Sequence, residues 1–230
     1  MRTLTIDIGG TGIKLLPIND TGQAFTTRHR ELTPRPSTPD AVMTVIREMV
    51  GVQDPFDRVS VGFPGVVRHG VIDTAPNLGT PQWKGFNLQK AVTDVCGKPA
   101  RVLNDAELQG FGVISGTGVE IVLTLGTGLG SALYIDSHLV PNLELGHHPL
   151  RNGKTYEDLV SDVELERVGK QEWRKRITFV IETLDRIFNY DTLHIGGGNA
   201  QKLKRPLPED VYLFDAVDGL AGGVRLWQGD

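Results

Sequence analysis

One pattern occurs twice in this chain. Residues 3–16 read TLTIDIGGTGIKLL and residues 121–135 read IVLTLGTGLGSALYI. Each is a β-rich run, a glycine turn and a second β-rich run. Glycine permits positive φ and carries no side chain to block a phosphate from the backbone. Successive N–H groups in such a turn form an anion-binding concavity. Two such hairpins predict two similarly built halves that grip a polyphosphate from two sides, and hence phosphoryl transfer.

The 230 residues suffice for one large domain or two small ones, with 39% hydrophobic and 23% charged residues to build and solvate a core. A net charge of −4 argues against general nucleic-acid binding. The single cysteine, Cys96, excludes disulfides within the chain and cysteine zinc clusters, and reads as a small apolar residue rather than a nucleophile. The chain starts directly on a strand, with no basic-then-apolar leader, and no apolar run approaches a membrane span. A cytoplasmic protein with no membrane partner is expected.

Strands are expected at 3–8, 12–18, 23–31, 59–63, 101–103 and 192–195. Helices are expected from Pro39, over 87–96, from Ala106, over 171–189 and over 216–227, the last packing back on the first half. Trp173, Ile177, Val180, Ile181, Leu184, Ile187 and Phe188 mark the buried face of the long helix. Residues 33–39, 73–84 and 141–155 read as loops.

Six groups of residues can carry chemistry. Asp7 ends a strand directly before Gly9, Gly10 and Thr11. A carboxylate aimed at a phosphate loop repels its anion unless a cation such as Mg²⁺ intervenes, and Thr11 and Lys14 can add a hydroxyl and a charge. Gly126, Thr127 and Gly128 form the second turn, which lacks a full G-x-G-x-x-G and leads into a strand, so it is no dinucleotide fingerprint. Asn104-Asp105 between a strand and a helix is either a helix cap or a general base that takes a hydroxyl proton. Glu144 and His147 are either ordinary loop residues or ligands for neighbouring sugar hydroxyls. Gly196, Gly197 and Gly198 are either a tight turn or a bare platform for a nucleotide base. The basic run Trp173-Arg174-Lys175-Arg176, near Lys170, is a solvated helix face or a guide for a polyanion.

Taken together, DIGGTGIK (7–14), VLNDAELQGFG (102–112), LTLGTGLGSAL (123–133), ELGHHPL (144–150) and HIGGG (194–198) resemble the ROK family of sugar kinases and repressors in the actin-like ATPase superfamily. FPGVV (63–67) and the EWRKRI segment are similar to its zinc-free polyphosphate glucokinase branch. The resemblance implies an α/β two-lobed, ribonuclease H-like fold with the active site in the interlobe cleft. It implies Asp105 as catalytic base, Asn77, Asn104, Glu144 and His147 as sugar ligands, and the glycines of all three turns at the phosphoryl donor. It implies Asp7 as the magnesium-side carboxylate, directly or through water, and a homodimer. Family members commonly join the motif histidine to a Cys-x-Cys zinc cluster followed by a further sugar-binding glutamate. No cysteine follows Cys96 here, so no zinc site is expected and the further glutamate has no assigned position.

The expected lobes are 1–104 plus 216–230, and 105–215. The expected reaction moves a phosphoryl group from ATP or inorganic polyphosphate, with Mg²⁺, to the 6-hydroxyl of a hexose, glucose foremost. An inactive sugar sensor and a polyphosphatase or ATPase that uses water are the alternatives.

Overall fold

The structure, a computed structural model, describes residues 1–203 and 206–228. Residues 204, 205, 229 and 230 fall inside the expected lobes but outside the described residues. The chain begins with β1 (Thr3–Ile8), β2 (Gly12–Ile18), β3 (His29–Leu32), α1 (Pro39–Gly51) and β4 (Arg58–Phe63). Next come a small hairpin of β5 (Val67–Arg68) and β6 (Val71–Ile72), then α2 (Thr80–Trp83), α3 (Leu88–Cys96), β7 (Ala100–Asn104) and α4 (Asp105–Val113). A second set follows: β8 (Val119–Leu125), β9 (Leu129–Ile135), β10 (His138–Val140), β11 (Pro149–Arg151), β12 (Lys154–Thr155), α5 (Tyr156–Val160), α6 (Asp162–Phe188), β13 (Thr192–Gly196) and β14 (Val211–Leu213). The last element is α7 (Ala216–Arg225). Two compact units result, Met1–Gly112 with Val217–Asp230, and Val113–Ala216.

The sequence repeat becomes a repeat of topology. The first unit's sheet runs β3-β2-β1-β4-β7 and the second's runs β10-β9-β8-β13-β14. In each, a strand-turn-strand pair is antiparallel, a third strand extends it antiparallel, and two parallel strands follow on the other side.

In the first unit, Leu4, Ile6 and Ile8 of β1 join Val42, Ile46 and Met49 of α1 and Leu88 and Val92 of α3 in one core. Leu16 and Ile18 join Leu220 and Val224 of α7 in another. Helices on both faces explain why every residue of β1 is buried rather than every second one. α7 approaches closely because it is glycine-rich: a Cβ on Gly223 would meet Thr5 Oγ1 at 2.2 Å, and one on Gly222 would meet Leu108 O of α4 at 2.1 Å. Ser60 Oγ donates to Gly223 O at 2.6 Å. The helix that opens at Asp105 therefore stays with the first unit as far as Gly112.

In the second unit, Ile121, Leu123 and Ile195 pack with Tyr156, Trp173, Ile177, Val180 and Leu184. The long helix begins nine residues earlier than its apolar period predicts, at Asp162 instead of 171, with a break at Gly169 (φ 77°, ψ 162°). Ile187, expected on its buried face, is 55% exposed. Other expectations also yield. The third strand is confined to His29–Leu32; before it lie a turn around Asn19, whose Oδ1 accepts the amides of Thr21 and Gln23, and an isolated bridge from Ala24 to Ile18. The loop at 73–84 contains the short helix α2, and that at 141–155 contains a 3₁₀ turn and the β11–β12 hairpin.

Candidate active site

The first glycine turn sits at the end of a register that pairs Asp7 with Lys14 across β1 and β2. Lys14 Nζ donates to Asp7 Oδ2 at 2.7 Å, with the carboxylate 8% exposed. Gly9 N–H closes the turn on Gly12 O at 3.0 Å. Neither Gly9 nor Gly10 takes the left-handed conformation, so positive φ is not why glycine stands there. At position 9 the reason is space, since a Cβ would meet Gly12 O at 3.0 Å; at position 10 a Cβ would make an ordinary contact with Asn77 Cβ at 3.4 Å. Asn77, from the loop before α2, thus lies against the turn, and Thr11 is exposed at its tip.

Asn104 takes the capping role that the sequence left open between it and Asp105. Asn104 Oδ1 accepts the Ala106 amide at 2.8 Å, and Glu107 Oε2 accepts the amide of Asn104 at 3.2 Å. This reciprocal arrangement is a capping box with asparagine as the cap. Asn104 is 8% exposed and its Nδ2 donates to Gly65 O at 3.3 Å. Asp105, one residue on, accepts the Ala106 amide through Oδ1 at 2.8 Å. Gly62 makes room for it, since a Cβ there would lie 3.2 Å from Asp105 Cα.

In the second unit, Gly126 N–H closes on Gly128 O at 3.1 Å, and the Asp162 amide at the start of α6 donates to Gly126 O at 3.0 Å. Gly126 and Gly128 also avoid the left-handed region. A Cβ on Gly126 would meet nothing within 4 Å, whereas one on Gly128 would strike Glu157 Oε2 at 2.2 Å. That oxygen accepts the Leu129 amide at 2.9 Å. Glu157, which the sequence did not single out, thus borders the second turn. Its signal was present: Thr155 and Asp158 form a capping box that opens α5 and fixes Glu157 in its first turn.

Glu144 precedes the 3₁₀ turn Leu145–His147, with His147 Nδ1 3.6 Å from Glu144 Oε2. Burial pushes the Glu144 carboxyl up from its ordinary value, His147 pulls it down and the charge of Glu157 raises it again. The charge of Glu157, which lies against the second turn, is thus felt at Glu144.

Of the three glycines after β13, two serve packing. A Cβ on Gly196 would meet the Phe214 ring at 2.2 Å, and Gly197 (φ 87°) would meet Leu125 O at 2.4 Å. Only Gly198 faces open space. The basic run on α6 is largely consumed within the unit: Arg174 Nε donates to Lys202 O at 2.7 Å, Arg176 pairs with Glu164, and Lys175 Nζ lies 3.6 Å from Glu172. Cys96 is partly buried and its thiol is pushed up to about 11 by burial, which keeps it protonated and unreactive.

A model of the ROK family matches residues 3–162, most of the chain. The chain belongs to the ROK family. The polyphosphate glucokinase of Mycobacterium tuberculosis strain CDC 1551 / Oshkosh is 34% identical over 212 residues, covering 88% of this chain and 80% of that protein. The crystal structure of an inorganic polyphosphate/ATP-glucomannokinase from Arthrobacter sp. strain KM superposes with a TM-score of 0.89 at 30% identity, over 98% of this chain and 97% of that one. A ROK family glucokinase from Streptomyces griseus, in complex with glucose and AMPPNP, shares the fold at a TM-score of 0.84 and 20% identity, with both chains fully covered. The two like-ordered sheets of this ROK chain are accordingly the α/β architecture of the actin-like ATPases.

Among the described residues of this ROK protein, no three His, Cys, Asp or Glu side chains gather into a metal-binding group. A cation held by one carboxylate, phosphate oxygens and water needs no such group. Asp7 fits that requirement: among the described residues only its Oδ2 is engaged, by Lys14. No described helix is long and apolar enough to cross a membrane.

Proposed function

We propose that this ROK protein is a hexokinase-type phosphotransferase that moves a phosphoryl group from inorganic polyphosphate or ATP to the 6-hydroxyl of glucose. The observation that carries the reading is the pair of glycine turns. Each sits at the same place in a sheet of the same order, in a chain with polyphosphate glucokinase and glucomannokinase as relatives.

The first unit contributes the general base and one phosphate turn. Asn104 caps α4, which leaves Asp105 to take the proton from the sugar hydroxyl as that oxygen attacks phosphorus. Asn77 borders the same turn. The second unit contributes the acceptors for the remaining sugar hydroxyls, Glu144, His147 and Glu157, and the second phosphate turn. A nucleotide donor would rest its base at Gly198. Mg²⁺, when bound on the Asp7 side, neutralises charge on the donor phosphates. Backbone N–H groups of Gly10, Thr11, Thr127 and Gly128 add fixed dipoles to the same end. The protein is assigned to the cytoplasm as a homodimer, on the strength of the family resemblance; light scattering on the purified chain tests the latter.

A coupled assay that crosses glucose, mannose and N-acetylated hexosamines with ATP and polyphosphate tests the reading. Glucose 6-phosphate from either donor is expected. Sugar binding without transfer, or phosphate release that ignores sugar, would overturn it.

A further inference from the structure

The first glycine turn owes its orientation to two side chains from a strap outside it. Thr33 Oγ1 donates to Gly9 O at 2.5 Å, and Arg35 Nη2 donates to Gly10 O at 2.8 Å. In a trans peptide the carbonyl of one residue and the N–H of the next point in opposite directions. Holding the Gly9 and Gly10 carbonyls toward the strap therefore turns the Gly10 and Thr11 N–H groups away from it. Neither N–H donates to any group among the described residues, whereas Gly9 N–H closes the turn. Two adjacent backbone donors, both fixed in direction and both unpaired, are an anion cradle.

The strap itself is rigid. It runs from β3 to α1, where Thr38 Oγ1 caps the helix by accepting the Ala41 amide. Midway, Ser37 Oγ donates to Pro34 O at 2.7 Å, and the fully buried Trp83 donates Nε1 to Ser37 O at 2.8 Å. Thr33 is buried while Arg35 is exposed. The guanidinium thus adds a cation beside the turn at little desolvation cost.

The second turn reaches the same end by other means. Its Gly126 carbonyl is held by the Asp162 amide, which turns the Thr127 N–H the opposite way. Like-placed turns in like-ordered sheets share one device, built from backbone in one unit and from Thr33 and Arg35 in the other.

We infer that Thr33 and Arg35 are positioning residues for the phosphoryl donor: they lock the Gly9–Gly10–Thr11 peptides with their N–H groups toward its phosphates. This rests on the kinase reading of the same site. The variants T33V, T33S and R35M test it, with initial rates on ATP and polyphosphate and the thermal shift produced by inorganic tripolyphosphate alone. T33V and R35M are expected to raise the donor KM about tenfold, as loss of one orienting hydrogen bond implies. Glucose KM should stay within twofold of wild type, and the tripolyphosphate shift should shrink. T33S, which keeps the hydroxyl, should behave as wild type. Donor KM within twofold of wild type in both T33V and R35M would overturn the inference, and so would T33S as impaired as T33V. Should T33V not fold, T33S and the exposed R35M still decide. A wild-type protein that neither phosphorylates glucose nor responds to tripolyphosphate would fell the kinase reading and this inference together. A wild type that does both, with unaffected variants, would fell this inference alone.

Discussion

Glu107 Oε2 accepts the backbone N–H of Asn104 at 3.2 Å, while Asn104 Oδ1 caps the helix that Glu107 belongs to. The two residues satisfy each other's exposed backbone at the start of α4, so Asp105 is not needed as the cap. Asp105→Asn should therefore leave the fold and sugar binding intact while turnover drops by about a hundred- to ten-thousandfold, the span of a lost general base. Calorimetric glucose titration and the coupled assay measure the two halves. Near-normal turnover would remove Asp105 from the chemistry. Asn104→Ala should instead lower stability by about 1 kcal/mol through the lost cap, read as a lower denaturant midpoint.

Glu144 carries a pH signature. Its carboxyl lies above the ordinary 4.5, chiefly through burial. Between the ordinary and the raised value the folded chain binds more protons than the unfolded one, so stability falls as pH rises through that window and levels off above it. Glu144→Gln should flatten that descent in melting temperatures taken from pH 4 upward. The same variant should raise glucose KM about ten- to a hundredfold, because a hydrogen bond to a charged acceptor is lost. The acid limb of kcat/KM for glucose should weaken with it. An unchanged glucose KM would take Glu144 out of the sugar site.

The parts of this chain that were legible are those written in local pattern. The hairpins at β1–β2 and β8–β9 announce themselves by β-rich runs around glycine, and their repetition foretells two like-ordered sheets. The role of each glycine was less accessible, because it depends on neighbours distant in sequence: Asn77 beside Gly10, Glu157 beside Gly128, Phe214 beside Gly196. The capping role of Asn104 could not be read from the pair Asn104-Asp105 alone, because it shows only in the contact with Glu107 that closes the box. The start of α6 was hidden because Gly169 interrupts the helical period and its first segment brings just Leu165 into the core, with Val168 packed against it. Glu157 was overlooked because the loop around it held no long apolar period, although its capping box was plain to read.

The two glycines of the second turn should respond differently to alanine. A methyl on Gly126 enters space that no protein atom occupies, whereas one on Gly128 displaces the Glu157 carboxylate from the Leu129 amide. Gly126→Ala should keep its melting temperature within about a degree or two, consistent with a surface change of a few tenths of a kcal/mol. Its donor KM should nevertheless rise, since the methyl projects where phosphate oxygens would approach. Gly128→Ala should lower stability and raise glucose KM, because Glu157 must turn away. Equal effects of the two substitutions on glucose KM would contradict this assignment.

Glu164 gathers cations that would otherwise be open to a polyanion. Its carboxylate, 8% exposed, receives Arg167 Nε and Nη2 at 2.6 Å each, pairs with Arg176 and lies 3.9 Å from Lys154 Nζ. The Arg167 hydrogen bonds first, and Arg176 after them, hold its carboxyl down at about 2 against an ordinary 4.5. A depressed carboxyl contributes stability that is complete above the unfolded value and disappears as pH falls through the folded one. Glu164→Gln should therefore melt well below wild type at pH 7, and the gap should close as pH falls from 4.5 toward 2. Because Arg167 is 59% exposed while Arg176 is 21% exposed, molar salt should remove part of the gap but not all of it. Polyphosphate KM offers a second readout, since removing the Glu164 charge leaves Arg167, Arg176 and Lys154 less compensated, although Arg176 keeps Glu172 at 3.5 Å. If that surface plays no part in donor capture, as its internal pairing implies, Glu164→Gln will destabilise the protein without tightening its grip on polyphosphate; a lower polyphosphate KM in the variant would reinstate the helix as a polyanion guide.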